Sequence, residues 1–121
     1  TSNETINGVQ LREFNKIQHD SLLIDMSSDI GSYSFEWDNI AYVYAGAQKN
    51  MGIPGVSICI GNEKYLNSDD NSRYLNLGQL VEKNSLLNTP PTFSIYVLKL
   101  VTDWMIEMGG IKYFEEKSIR Q

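Results

Sequence analysis

The chain has 121 residues, 41% of them hydrophobic and 21% charged, which suits one ordinary globular domain and is too short for two. Fifteen acidic residues against ten basic ones give a net charge of −5, and with no basic cluster nucleic acid is excluded as the main partner. One cysteine, Cys59, excludes an internal disulfide framework and a Cys-rich zinc site, and one histidine, His19, excludes a two-histidine metal site.

No stretch approaches the ~18 apolar residues needed to cross a bilayer, and no charged-then-apolar leader opens the chain. The expectation is a soluble cytoplasmic protein, or a piece of one, with no membrane partner.

Leu22-Leu23-Ile24 is a short continuous apolar run ending at Asp25, and it reads as a buried strand. Ile40–Ala47 reads as a second buried strand. Val56–Ile60, rich in β-branched residues, reads as a third. Between the last two, residues 46–55 hold three glycines and a proline and form a compact loop. Its length lets the third strand return antiparallel to the second, as in a wide hairpin. The segment Asn67–Asn71 is a polar turn, and Ser72 to Leu87 has no clear period.

Asn88-Thr89-Pro90-Pro91-Thr92 is a breaker followed by a helix start, where a proline's missing N–H goes unneeded. In the helix that follows, Phe93, Tyr96, Val97, Leu100, Val101, Trp104 and Met108 recur at spacings of three and four. Ile95, Leu98 and Ile106 add a second apolar flank, so the helix expects burial on more than one side. Gly109-Gly110 ends it, and a further helix begins at Ile111. Cys59, between Ile58 and Ile60, reads as a small buried hydrophobe without reactive character. His19 and the pair Asp69-Asp70 read as solvated.

In open α/β sheets, ligands bind beyond the carboxyl ends of the strands. Asp25 and Lys49 each follow a predicted strand. If those strands are parallel neighbours, both side chains emerge at one sheet edge, with strands roughly 4.8 Å apart. One cofactor uses such a pair. Pyridoxal phosphate needs a lysine to form a Schiff base with its aldehyde and a carboxylate to keep its ring nitrogen protonated. A nucleophilic lysine needs desolvation or nearby positive charge, which a dry loop among Gly46, Gly52 and Gly55 would supply. Asn88 and Thr89, before the helix, offer an amide, a hydroxyl and backbone N–H groups to a phosphate.

At these residues a resemblance emerges. Tyr44-Ala45-Gly46-Ala47-Gln48-Lys49-Asn50 and Asn88-Thr89-Pro90-Pro91-Thr92-Phe93 resemble signature segments of the phosphoserine aminotransferase family of fold-type-I pyridoxal enzymes. Asn3-Glu4-Thr5-Ile6-Asn7-Gly8-Val9 and Asp25-Met26-Ser27-Ser28 resemble two more, in the right order. Where the family runs to a Ser-Arg-Pro segment, this chain has Ile30-Gly31-Ser32-Tyr33-Ser34.

The resemblance implies an α/β fold, part of the large domain of a fold-type-I transferase, with a mostly parallel sheet, an antiparallel strand and flanking helices. Residues 1–121 would be the second half of that domain, ending at the start of the connection to a small domain. Lys49 would carry the cofactor as a Schiff base and then move the proton. Asp25 would hold the ring nitrogen. Thr5 and Gln48 would contact the ring or its hydroxyl side. Asn88 and Thr89 would bind the phosphate in the site of a neighbouring subunit, which implies a homodimer with interfacial sites. The implied reaction moves an amino group from glutamate to 3-phosphohydroxypyruvate, giving O-phospho-L-serine and 2-oxoglutarate in serine biosynthesis. The alternatives are an alanine–glyoxylate-type aminotransferase, a cysteine desulfurase, or an inert truncated fragment. The 121 residues alone are expected to be inactive.

Overall fold

The structure is a computed structural model that describes residues 1–4, 6–66 and 76–120. The acidic turn read at Asp69-Asp70 lies outside the described residues.

The chain opens with a short hairpin, β1 (Asn3–Glu4) antiparallel to β2 (Val9–Gln10), followed by a 3-10 turn at Phe14–Lys16. Three strands, β3 (Leu22–Asp25), β4 (Ile40–Gly46) and β5 (Ser57–Gly61), form the main sheet in that order. β3 and β4 run parallel, with Asp25 opposite Tyr44, and β5 returns antiparallel to β4, with Cys59 opposite Tyr44. Short helices α1 (Glu63–Leu66) and α2 (Leu77–Glu82) follow. The long helix α3 (Thr92–Glu107) and α4 (Gly110–Ile119) close the chain. The Asn76 side chain caps α2 by accepting from the backbone N–H of Gln79 at 3.1 Å.

The core lies on one face of the sheet. Ile24, Val43 and Ala45 point into it, joined by Phe14, Met26, Ile30, Tyr33 and Ile40. Phe14 meets Phe35 edge-on, with ring centroids 5.6 Å apart. The opposite face is open among the described residues. Leu23 and Tyr44 are exposed there, and so is Cys59. The continuous apolar runs at β3 and β4 suit a strand covered on both faces, but only one face is covered here. That corrects the burial expected for Cys59. Its alternation with Ile58 and Ile60 was read properly, but its own face carries no second layer. Partial enclosure by its neighbours still pushes the thiol pKa up, so it has no thiolate character.

Helix α3, apolar on two flanks, has one of them covered and the other exposed among the described residues. Its inward side is Ser94, Leu98, Val101 and Met105, and Met105 alone is fully buried. This side packs on the loop after β4 and on the turn after β3. A Cβ at Gly52 would stand 3.5 Å from the Leu98 nitrogen, and one at Gly31 would stand 3.0 Å from Met105 Cε. The stripe that dominates the sequence period, Phe93, Tyr96, Leu100 and Trp104, faces outward, with Phe93 69% exposed. Trp104 packs its ring against that of Phe114 on α4, at 5.3 Å between centroids. Gly109, at φ +112°, makes the left-handed break between the two helices, as expected from Gly109-Gly110.

Candidate active site at the carboxyl end of the sheet

The parallel pairing of β3 and β4 decides where the charged groups emerge. The Met26 N–H donates to the Tyr44 carbonyl at 2.9 Å, extending the pairing one residue past Asp25. The chain then turns. The N–H groups of Asp29 and Ile30 both reach the Met26 carbonyl, at 3.1 and 2.9 Å. The Ser32 hydroxyl donates to the Asp29 carbonyl at 2.6 Å. Gly31, at φ +75°, lets the turn close where a side chain would meet Met51 Cε at 2.8 Å. So the stretch that departs from the family's Ser-Arg-Pro segment is a tight, well-bonded turn. It buries Ile30 and Tyr33.

Asp25 is half-buried at the mouth of this turn. Its Oδ1 accepts from the Ser27 backbone N–H at 2.9 Å. The Ser27 side chain in turn accepts the Gly46 N–H at 3.2 Å and so bridges the ends of β3 and β4. The Asp25 carboxyl is held below its usual range. The Ser27 hydroxyl is the largest cause, burial opposes it, and the Ser27 N–H and the Lys49 ammonium add to it. The same carboxylate thus caps the turn that follows β3.

After β4 the chain makes one helical turn, closed by Met51 N–H to the Ala47 carbonyl at 2.9 Å. The loop is tied back by Ala47 N–H to the Val56 carbonyl at 3.0 Å and by Asn50 Nδ2 to the Ile30 carbonyl at 3.2 Å. Gln48 folds its carboxamide back over Gly46, where a Cβ would lie 2.3 Å from Oε1. Lys49 stands on this turn and is exposed. The dry surroundings expected for it are not formed by the described residues, because Gly52 and Gly55 turn toward α3 and away from the amine. Lys49 borders a cleft of about 340 Å³ with Gly31, Ser32, Asn50, Trp104, Phe114 and Lys117.

The structure thus brings Asp25, Gln48 and Lys49 to one sheet edge. Asn88 and Thr89 stand exposed ahead of α3, with no hydrogen bond to that group among the described residues. Thr5 lies outside the described residues. Sequence reasoning missed Ser27 as the link between the strand ends. The Asp-x-Ser spacing of an Asx turn at Asp25-Met26-Ser27 was a signal that could have found it.

An amine and a carboxylate of lowered pKa thus stand at the carboxyl edge of a parallel strand pair, the edge at which open α/β sheets bind their ligands. The class-V aminotransferase profile matches residues 1–120, and the chain belongs to that family. It is similar over nearly all its length to phosphoserine aminotransferases. The one from Geobacillus kaustophilus (strain HTA426) is 45% identical over 120 residues, covering 98% of this chain and 33% of that relative. The solved phosphoserine aminotransferase of Bacillus circulans subsp. alkalophilus superposes with a TM-score of 0.88 at 40% identity, over 96% of this chain and 33% of the other. The pyridoxal-phosphate-bound enzyme of Trichomonas vaginalis gives 0.84 at 32% identity, over 95% and 32%. The architecture is that of a fold-type-I transferase, as expected. The chain spans about a third of the length of the curated relatives it matches.

Proposed function

We propose that the protein carrying this chain is a pyridoxal-phosphate-dependent aminotransferase that moves an amino group from glutamate to 3-phosphohydroxypyruvate, giving O-phospho-L-serine and 2-oxoglutarate. The observation that carries this reading is the parallel pairing of β3 with β4, which sets Asp25 and Lys49 at one edge and within each other's electrostatic reach. The donor set fits the cofactor. A carboxylate with a depressed pKa stays ionised at neutral pH and can hold a protonated ring nitrogen, and an exposed amine can meet an aldehyde. When bound, the cofactor supplies the electron sink. Asp25 orients it, Lys49 anchors it and later holds or passes the substrate's α-proton, and Gln48 and Thr5 contact the ring or its hydroxyl side.

Asn88 and Thr89 bind the cofactor phosphate of a second subunit, so the protein works as a homodimer with its sites at the interface. Their exposure supports this. Residues 1–121 form the second half of the large cofactor-binding domain, ending where the connection to a small domain begins, and the enzyme works in serine biosynthesis in the cytoplasm.

Incubation with pyridoxal phosphate followed by borohydride tests the site. The expected result is one reduced label, mapped to the peptide containing Lys49 and lost in Lys49→Ala. A label spread evenly over surface lysines overturns the assignment. Glutamate-dependent formation of phosphoserine by the full-length protein then tests the reaction, and its absence from a protein that takes the label on Lys49 would point to another member of the class.

A further inference from the structure

The turn after β3 is pinned from behind by a carboxylate that the proposed chemistry does not use. Asp29 is 4% exposed. Its Oδ1 accepts from the Ser2 hydroxyl at 2.5 Å, and its Oδ2 accepts from the Gln10 carboxamide at 3.3 Å. Gln10 Oε1 accepts in turn from Arg12 Nε at 2.9 Å, so a guanidinium reaches Asp29 through one amide. Ser2 is fully buried as well. Its backbone N–H donates to the Asp25 carbonyl at 2.9 Å, and its hydroxyl lies 3.1 Å from the same oxygen. A hydroxyl has one proton, and the nearer, charged acceptor takes it.

Asn3 Nδ2 adds a bond to the Ser28 hydroxyl at 2.9 Å. One side of the segment from Asp25 to Asp29 is therefore stitched to the chain's first residues. The other side is stitched to β4 through Ser27 and Gly46. Loss of Asp29 would take the charged acceptor from the buried Ser2 hydroxyl, leaving it only the longer contact to the Asp25 carbonyl, release the Gln10 amide, and loosen the turn on which the Ser27 N–H depends.

We propose that Asp29 is a positioning residue for Asp25, acting through Ser2 to hold the Asp25 peptide and the Ser27 N–H where the Asp25 carboxylate needs them. The role rests on the reading of Asp25 as the partner of the cofactor ring nitrogen.

The test uses the full-length protein as wild type, Asp29→Ala and Ser2→Ala, with three measurements. These are the titration of the Asp25 carboxyl by NMR of carbon-labelled aspartate without cofactor, the pyridoxal phosphate dissociation constant, and the thermal midpoint. In both variants the Asp25 midpoint should move up toward the ordinary carboxylate range, and the dissociation constant should rise about tenfold. A lowered thermal midpoint with Asp25 titration and cofactor affinity as in wild type makes Asp29 merely structural and overturns the proposal. If Asp29→Ala does not fold, Ser2→Ala decides by the same two readouts. A shifted Asp25 titration with unchanged cofactor affinity upholds the positioning role and refutes the cofactor role of Asp25.

Discussion

Two glycines on neighbouring strands make opposite demands, and replacing each with alanine separates them. A Cβ at Gly61 would lie 2.5 Å from the Tyr42 Cβ and 2.8 Å from the Ala41 carbonyl. Ordinary contact begins at 3.4 Å, so the opening needed is about 1 Å, and both obstacles belong to the backbone of β4 or sit directly on it. A ladder bond near 2.9 Å stretched by that much is no longer a hydrogen bond. Gly61→Ala should therefore cost about 1–3 kcal/mol, as overpacking with a local loss of pairing does. A Cβ at Gly46 would lie even nearer, 2.3 Å from Gln48 Oε1, but that atom ends a flexible side chain and can swing away. Removing a strand glycine also reduces the entropy lost on folding, by roughly 0.5–1 kcal/mol. Gly46→Ala should leave stability within about 0.5 kcal/mol of wild type while evicting Gln48 from its place beside Lys49. Chemical denaturation gives the stabilities, and pyridoxal phosphate uptake reads the second effect. Equal destabilisation by the two substitutions, or a neutral Gly61→Ala, would refute the steric argument.

Three further outcomes follow from the same geometry. Asp25 has a folded pKa below its unfolded value, so its contribution to stability is fully present above about pH 4 and is lost as pH falls through the depressed folded value. The stability deficit of Ser27→Ala should accordingly be largest near neutrality and shrink in acid, and a deficit independent of pH between 3 and 7 counts against it. Tyr33 is buried, and its pKa is raised first by that burial and then by the Asp29 charge, so its contribution is complete below about pH 10 and fades as the pH climbs toward the folded value. Tyr33→Phe should lose about 1 kcal/mol at pH 7 with the bond to the Leu11 carbonyl, and should flatten the alkaline decline seen in pH-dependent melts. The outward stripe of α3 should make the 121-residue chain bind a hydrophobic dye, and Phe93→Glu with Leu100→Glu should reduce that binding by more than half; a chain that binds no dye would show the stripe to be covered.

Much of the architecture was legible in the residues because it is written locally. β-branched and aromatic runs bounded by turn residues placed β3, β4 and β5 within a residue of where they stand. Pro90-Pro91 and Gly109-Gly110 bracketed α3 because one residue type cannot continue a helix backward and the other readily leaves it. Asp25 directly follows an apolar run and Lys49 stands two residues past another, and the YAGAQKN and NTPPTF segments give them a chemical meaning.

What stayed hidden is what depends on partners distant in the chain. Apolar residues surround α3, so periodicity could not say which side is covered; the loop after β4 and the turn after β3 chose Ser94, Leu98, Val101 and Met105. Cys59 looks the same in sequence on a covered or an open sheet face. Asp29 follows two serines, and its burial depends on Ser2 and Gln10, which bond it from 27 and 19 positions away. Sequence alone thus placed β3, β4, β5, the last two helices and the charges near the strand ends, because backbone preference and chain polarity act between neighbours. The tertiary structure alone decided that β3 and β4 lie parallel and side by side, because strand pairing depends on which distant segments meet. From that pairing comes the shared edge at which Asp25 and the turn bearing Lys49 emerge.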